Sequence, residues 1–336
     1  MADHETDVVI VGAGPVGLFA VFECGMLKIR THVVDALDFI GGQCAALYPE
    51  KPIFDIPGYP RIDAQDLVAR LSEQAAPFEP TYHLGARVEK AQPRGDAGWR
   101  IETAAGTRID CRAIVIAAGS GAFGPNRPPL PDIEAYEGRS VFYLVRRRED
   151  FRGKRVVIAG GGDSAVDWAV SLAEVADKVY VVHRRPKFRA LPGSVAQLER
   201  LTAEGRVELV IPYQLQALEG SDGQLSAVVA ATLKGETRTI EADALLPFFG
   251  LSMDLGPIAE WGLALEREMI LAEPATLRTS APGIYAIGDI ASYPGKLKLI
   301  LCGFHEAALA AHDIRTLLHP DEELHWEYST TKGIPG

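Results

Sequence analysis

Two stretches of this chain, VVIVGAGPVG (Val8 to Gly17) and VVIAGGGDSA (Val156 to Ala165), run from four apolar residues into a glycine-rich turn. A buried strand that enters such a turn ahead of a helix aims backbone N–H groups at the helix N-terminus, where they can hold a phosphate. The first stretch sets Gly12, Gly14 and Gly17 in full G-x-G-x-x-G register; the second sets Gly160, Gly162 and Ala165 in a G-x-G-x-x-A variant. Each predicts the opening strand–turn–helix of a nucleotide-binding α/β domain. Two copies this far apart call for two domains, which 336 residues can supply.

The residues after each turn separate the two cradles. Asp35 ends the next apolar strand, 21 positions beyond Gly14, where a carboxylate can accept hydrogen bonds from a ribose diol. The same spacing beyond Gly162 reaches His183, followed by Arg184 and Arg185, in VVHRRPKFRA. Bases replace the acid, and guanidinium groups bind a 2′-phosphate that a carboxylate would repel. The second cradle therefore reads as an NADP site, with Asp163, Ser164 and Ala165 at its helix start. A third element, GIYAIGDI, carries Gly288-Asp289 after another short apolar strand, and by spacing alone is only a strand-ending turn.

Bulk composition excludes more than it assigns. An apolar share of 47% with 24% charged residues suits a globular chain with a sizeable core. A net charge of −11 offers no global field for nucleic acid or an anionic membrane. The start, MADHETDVV, lacks a signal-peptide pattern, and no run reaches the roughly 18 apolar residues of a membrane span. Cys24, Cys44, Cys111 and Cys302 are scattered, with no C-x-x-C and no metal spacing. A cytoplasmic protein with reduced thiols, and no metal site, is the expectation.

Along the chain, GGQCAALYPEKPIFDIPGYP (Gly41 to Pro60) is dense in turn formers and reads as an ordered loop, not a helix. IDAQDLVARLSEQAAPF has helical spacing with Asp63 as N-cap, and GFHEAALAA opens another helix with His305 near its start. The segments THVVDA, ARVEKAQ, WRIETAAGTRIDC and AIVIAAG read as strands, as do VELVIPYQLQALEG, LSAVVAATL and TRTIEADALLPFFG. Proline-rich GAFGPNRPPLPD and PFFGLSMD are natural joints. The second nucleotide domain, residues 121–249, is thus expected as an insertion into the first, residues 1–120 and 250–336, with the joints as hinges.

Two nucleotide cradles plus a distal Gly-Asp resemble the two-dinucleotide flavoprotein disulfide reductases. That resemblance implies two Rossmann-like three-layer (β/β/α) domains, with FAD on the first cradle and the Asp289 carboxylate on its ribitol chain. Thioredoxin reductases, of similar length, carry a C-x-x-C pair before the second cradle. Here SVFYLVRRREDFRGKR has no cysteine, and GGQCAALYPEK has only Cys44, which alone cannot cycle as an internal disulfide. Cys44 therefore reads as an inert, structural thiol.

The whole pattern, GGQCAALYPEKPIFDIPGYP, GGGDSAVDWA, VVHRRPKFRA, GIYAIGDI and the tail EYSTTKG, is similar to the ferredoxin–NADP reductases of thioredoxin-reductase-like type. The resemblance implies a homodimer in which Tyr48 stacks on one flavin face and Tyr328 of the tail covers the other. It adds Pro15, Gln43, Val88, Phe123 and Thr330 to the FAD contacts, and Ser329 or Thr330 as neighbours of N5. Hydride from NADPH would pass to FAD and leave as single electrons to a docked ferredoxin, with no side chain required as acid or base. The run Arg146, Arg147 and Arg148, with Lys154 and Arg155, is the candidate docking patch for that acidic carrier. Two rivals remain at this stage: the same machinery serving flavodoxin, a quinone or a small disulfide, and an FAD/NADP-binding redox sensor without rapid turnover.

Overall fold

The computed structural model describes residues 2–322. The chain divides into two compact units, Met1–Phe123 with Met253–Gly336, and Gly124–Ser252.

The first unit opens with β1 (Val8–Val11), α1 (Pro15–Met26) and β2 (Thr31–Val34). A short helix, α2 (Gly42–Ala46), follows, then α3 (Ala64–Ala75) and β3 (Thr81–His83). Strands β4 (Val88–Pro93), β5 (Trp99–Thr103) and β6 (Arg108–Cys111) pair antiparallel as a meander, and β7 (Ala113–Ile116) returns to pair parallel with β1.

In the second unit β8 (Arg155–Ala159), α4 (Asp163–Leu172), β9 (Lys178–Val182), α5 (Pro192–Ala203) and β10 (Val207–Val210) alternate strand and helix. The meander β11 (Gln214–Ser221), β12 (Gln224–Ala231) and β13 (Thr237–Glu241) follows, and β14 (Ala244–Pro247) rejoins the parallel sheet, ordered β10-β9-β8-β14. The chain then returns to the first unit, where β15 (Ile284–Ala286) completes a parallel sheet ordered β15-β7-β1-β2-β3, and α6 (Ile300–Leu318) closes the described part.

Strand alternation divides the core of the first unit into layers. Val8 and Ile10 pack with Ala20, Val21 and Cys24 of α1 and Ala307, Ala310 and Ile314 of α6. Val9 and Val11, on the opposite face, pack with Ile101 and Ile109 of the meander. The second unit repeats the device, with Val157, Ala159 and Val182 against Val228, Ala230 and Ile240. Each unit is therefore a Rossmann-like three-layer β/β/α sandwich. Its parallel strands are covered on both faces, which is why they read as continuous apolar runs.

Two local readings are corrected. Gly41 to Pro60 is not loop throughout, because α2 forms over GQCAA, whose alanines and glutamine favour helix; Pro49 then disfavours helical backbone at Tyr48. α6 starts at Ile300, so His305 lies beyond its first turn, exposed to solvent rather than packed. Asp63 does precede α3, but its side chain makes no capping bond.

Two glycines of the first turn tolerate no added methyl. A Cβ on Gly17 would sit 1.9 Å from the Gly12 carbonyl oxygen, and one on Gly12 would sit 2.4 Å from that of Ala117. Gly193, by contrast, has open space around its missing Cβ in the first turn of α5. Gly17→Ala should lower the unfolding free energy by about 3 kcal/mol as α1 is pushed off the sheet. Gly193→Ala should raise it by up to about 1 kcal/mol. Urea unfolding of the two variants checks both signs.

Candidate functional site

The glycine turn after β1 forms the floor of a cavity of about 420 Å³ in the first unit, within the range that holds a small organic ligand. Gly12, Gly14 and Pro15 line it from the start of α1, Asp35 from the end of β2, Gln43 from α2, Val88 from β4 and Asp289 from the turn after β15. Tyr48, just past α2, contributes its ring. Gly17 is buried, and its role is the close packing of α1 on the turn. The expected set thus converges from five separate segments, with Phe123, Tyr328, Ser329 and Thr330 set aside. The last three lie outside the described residues, and of Phe123 only the backbone, in the strand Ala122–Pro125, is described.

The cavity is polar at two points. Asp35 Oδ2 accepts from the Ala13 amide at 2.6 Å and Oδ1 from the Leu37 amide at 2.8 Å. The carboxylate thus ties the glycine turn to the end of β2 while keeping lone pairs for a ligand hydroxyl. Burial raises its carboxyl above the usual range, partly offset by those two amides. Asp289 is half-buried; burial raises its carboxyl also, while Lys298 and Lys296 draw it down. The space beside Gly14 is open, with no atom but Gly42 Cα within reach of a Cβ. A ribose-diol acceptor, bare glycine amides at a helix N-terminus and a second carboxylate farther round the wall fit a dinucleotide.

Cys44 stands beside this cavity but is 2% exposed, and its Sγ lies 3.8 Å from the Tyr48 hydroxyl. Burial pushes its thiol up to about 11, so thiolate is scarce at neutral pH. Burial also holds the Tyr48 phenol well above its ordinary value. Both groups are therefore neutral at neutral pH.

The second cradle is built alike. A Cβ on Gly160 would sit 2.6 Å from the Phe248 carbonyl oxygen, and one on Gly161 would strike the His183 ring at 2.2 Å. Asp163 accepts the Leu191 amide at 2.9 Å and the Gly161 carbonyl accepts the Arg189 amide at 2.7 Å, so the loop after β9 folds back onto the turn. Ala165 is buried under the turn and Ser164 is exposed at the start of α4. His183 stacks on Phe188 with ring centroids 5.4 Å apart, and its buried Nε2 has no hydrogen-bond partner. Burial lowers its pKa, and Arg184, Arg189 and Arg185 reinforce this. The charge at this strand end comes instead from Arg184 and Arg185. Both are exposed, and neither is ion-paired among the described residues.

The other basic run behaves differently. Arg148 bonds Glu174 at 2.9 Å, Arg147 lies 3.9 Å from Asp150, and Arg155 is held by Asp243 and Glu241. Lys154 lies over the Phe151 ring. Within this run Arg148 and Arg155 are thus engaged by acids, while Arg146 is exposed.

Sequence spacing missed two parts of the site. The 3-10 turn Gly256–Glu260 lends Gly256, Pro257 and Ile258 to the cavity wall. Glu306 of α6, only 1% exposed, bonds the Gly288 amide from behind. Its signal was available: a lone carboxylate among the small apolar residues of GFHEAALAA.

Comparison with known proteins gives a consistent set. The family model described as pyridine nucleotide-disulphide oxidoreductase matches residues 6–307. A ferredoxin–NADP reductase of Paramagnetospirillum magneticum is 66% identical over 335 residues, covering 100% of this chain and 99% of the relative. One from Rhodospirillum rubrum is 61% identical, covering 98% of this chain and 97% of the relative. Among solved structures, Lactococcus lactis thioredoxin reductase aligns with a TM-score of 0.81 at 25% identity, covering 94% of this chain and 99% of its own. T. acidophilum thioredoxin reductase aligns at 0.82 and 24%, covering 94% and 99%, which speaks for the fold.

The thiols give a direct check on the site chemistry. Burial pushes Cys24 and Cys111 up to about 12, whereas Cys302 is half-exposed. In the folded protein at pH 8, iodoacetamide should label Cys302 first and leave Cys44 unmodified, its thiolate being about one part in a thousand. Labelling of Cys44 at a rate matching Cys302, read by peptide mass mapping, would contradict an inert thiol.

Proposed function

The chain belongs to the pyridine nucleotide-disulphide oxidoreductase family, and from that membership we propose that it is a ferredoxin–NADP reductase using FAD and NADP(H). The observation that carries this reading is 61–66% identity over 98–100% of this chain with relatives bearing that name. The site chemistry supports it, because a cavity suited to a dinucleotide stands beside a single buried thiol that has no partner for disulfide exchange.

When bound, FAD supplies the exchange between a two-electron hydride and single electrons, chemistry that no side chain offers. The residues of this chain bind and orient. In this reading Gly12, Gly14 and Pro15 present the start of α1 to the pyrophosphate, and Asp35 accepts from the adenosine ribose. Gln43, Tyr48 and Val88 line the wall, and Asp289 receives the ribitol hydroxyls. Tyr48 excludes water from one face of the ring system. Gly160, Gly162 and Ser164 present the start of α4 to the second pyrophosphate, with Asp163 pinning the adjoining loop. Arg184 and Arg185, exposed and without an acidic partner among the described residues, would meet the 2′-phosphate. No group needs to move a proton in the hydride step.

Ferredoxin is the acceptor in this reading, and the enzyme is a homodimer in the cytoplasm. The four free cysteines fit a reducing compartment, and no helix among the described residues is long and apolar enough to cross a membrane. Tyr328 would cover the open face of the flavin from the partner subunit, with Ser329 or Thr330 as neighbours of N5.

The purified protein should be yellow, and anaerobic mixing with NADPH should bleach it within about a second. It should then reduce a bacterial ferredoxin, and Cys44→Ala should leave that rate unchanged. A colourless protein that takes up no FAD would sink the proposal; loss of turnover in Cys44→Ala would move it to a thiol mechanism. Arg184→Ala and Arg185→Ala should each raise KM for NADPH by about 10- to 100-fold, the worth of one charge-assisted hydrogen bond, with KM for NADH little changed.

A further inference from the structure

Behind the Gly288-Asp289 turn lies an ion pair that the binding reading does not use. Glu306 is 1% exposed, and the Lys296 side chain only 7%. Glu306 Oε2 accepts the Gly288 amide at 2.6 Å, while Oε1 accepts the Tyr293 hydroxyl at 2.6 Å and an N–H of the Lys296 ammonium. Lys296 also lies 5.4 Å from the centre of the Tyr293 ring. On α6 the carboxylate is flanked by buried Gly303, Ala307 and Ala310, a face that otherwise packs as plain core. α6 is itself seated tightly: a Cβ on Gly303 would strike Val16 of α1 at 2.3 Å.

A buried ion pair is poor value for stability, since apolar residues of similar volume commonly serve as well or better. What it provides here is position. Three donors from one short segment, the Gly288 amide, Tyr293 and Lys296, converge on one carboxylate anchored on the last described helix. The next residue after Gly288 is Asp289, whose side chain lines the cavity while Glu306 stays behind it. The charges are linked too: Lys298 and Lys296 favour the ionised form of Asp289 and Glu306 opposes it.

We propose that Glu306 is a positioning residue for flavin binding: through the Gly288 amide and Lys296 it holds the Gly288-Asp289 turn so that the Asp289 carboxylate faces the cavity. The inference rests on the reading that this cavity takes FAD, and it concerns the flavin end of that ligand only. The adenosine end is held elsewhere, by Gly12 to Gly17 and Asp35.

That division makes the test selective. Protein stripped of flavin is titrated with FAD, followed by quenching of flavin fluorescence, and in parallel with ADP, followed by calorimetry. Glu306→Gln keeps one carbonyl acceptor but strands Lys296. It should raise Kd for FAD by about 10- to 100-fold, as loss of a buried charge-assisted bond predicts, with Kd for ADP changed less than about threefold. Adding Lys296→Met to that variant should recover part of the loss by removing the stranded ammonium. Unchanged FAD binding in Glu306→Gln overturns the proposal, as does an equal loss of FAD and ADP, which marks simple destabilisation. Should Glu306→Gln fail to fold, Tyr293→Phe removes a single donor. It should then raise Kd for FAD by about 3- to 10-fold with ADP unaffected, and no rise overturns the proposal. Wild-type protein that binds neither ligand would instead refute the reading of the cavity.

Discussion

The first unit depends on one contact, the approach of α1 to the glycine turn after β1. Gly17 lies so close to the Gly12 carbonyl that no side chain fits between them. This seats the helix start directly over the strand end, leaves the first-turn amides pointing outward, and opens the cavity at that spot. Packing then follows from the seat. α1 lies against α3 and α6, and the apolar alternation of β1 divides the layers on either side of the sheet. A bulkier turn would shift the helix and with it every residue the helix carries into the cavity.

Around that cavity the chain handles buried charge in two ways. Asp35 is tied to two backbone amides, so its carboxylate braces the turn even as it lines the site. Glu306 is neutralised by Lys296 and kept out of the cavity, so its charge is spent on geometry. The second unit shows the complementary arrangement. Arg148 and Arg155 are consumed by neighbouring acids, whereas Arg184 and Arg185, at the end of β9, have none among the described residues. An unpaired guanidinium at a strand end is available to an outside phosphate; a paired one is not.

The cysteines make the same point about reactivity. Position in the sequence puts Cys44 next to the cavity, where an active thiol would be expected in a disulfide reductase. Its burial leaves it protonated and packed, outweighing the hydrogen bond to the Tyr48 hydroxyl, which favours the thiolate. Removing sulfur chemistry from the site leaves the bound cofactors as the carriers of electrons, which is the division of labour proposed for this chain.

Much of this was legible beforehand because it is local. Apolar runs, glycine spacing and the residue 21 positions beyond each turn lie within single strand–turn–helix units, so Gly12, Asp35, Gly160 and Arg184 could be read in order. The helix over Gly42–Ala46 was missed because turn formers on both sides masked five helix-compatible residues. Pairing of Arg148 and Arg155 was invisible because their acids, Glu174, Glu241 and Asp243, come from elsewhere in the chain. The same holds for the role of Glu306, which needs α6 folded against the turn after β15. The two cradles, their order and their opposite charges follow from the order of residues alone, because short-range backbone geometry and side-chain type suffice for these. Which charges are paired, which thiols are inert and what braces the distal turn emerge in the folded chain, because burial and pairing depend on segments that meet through folding.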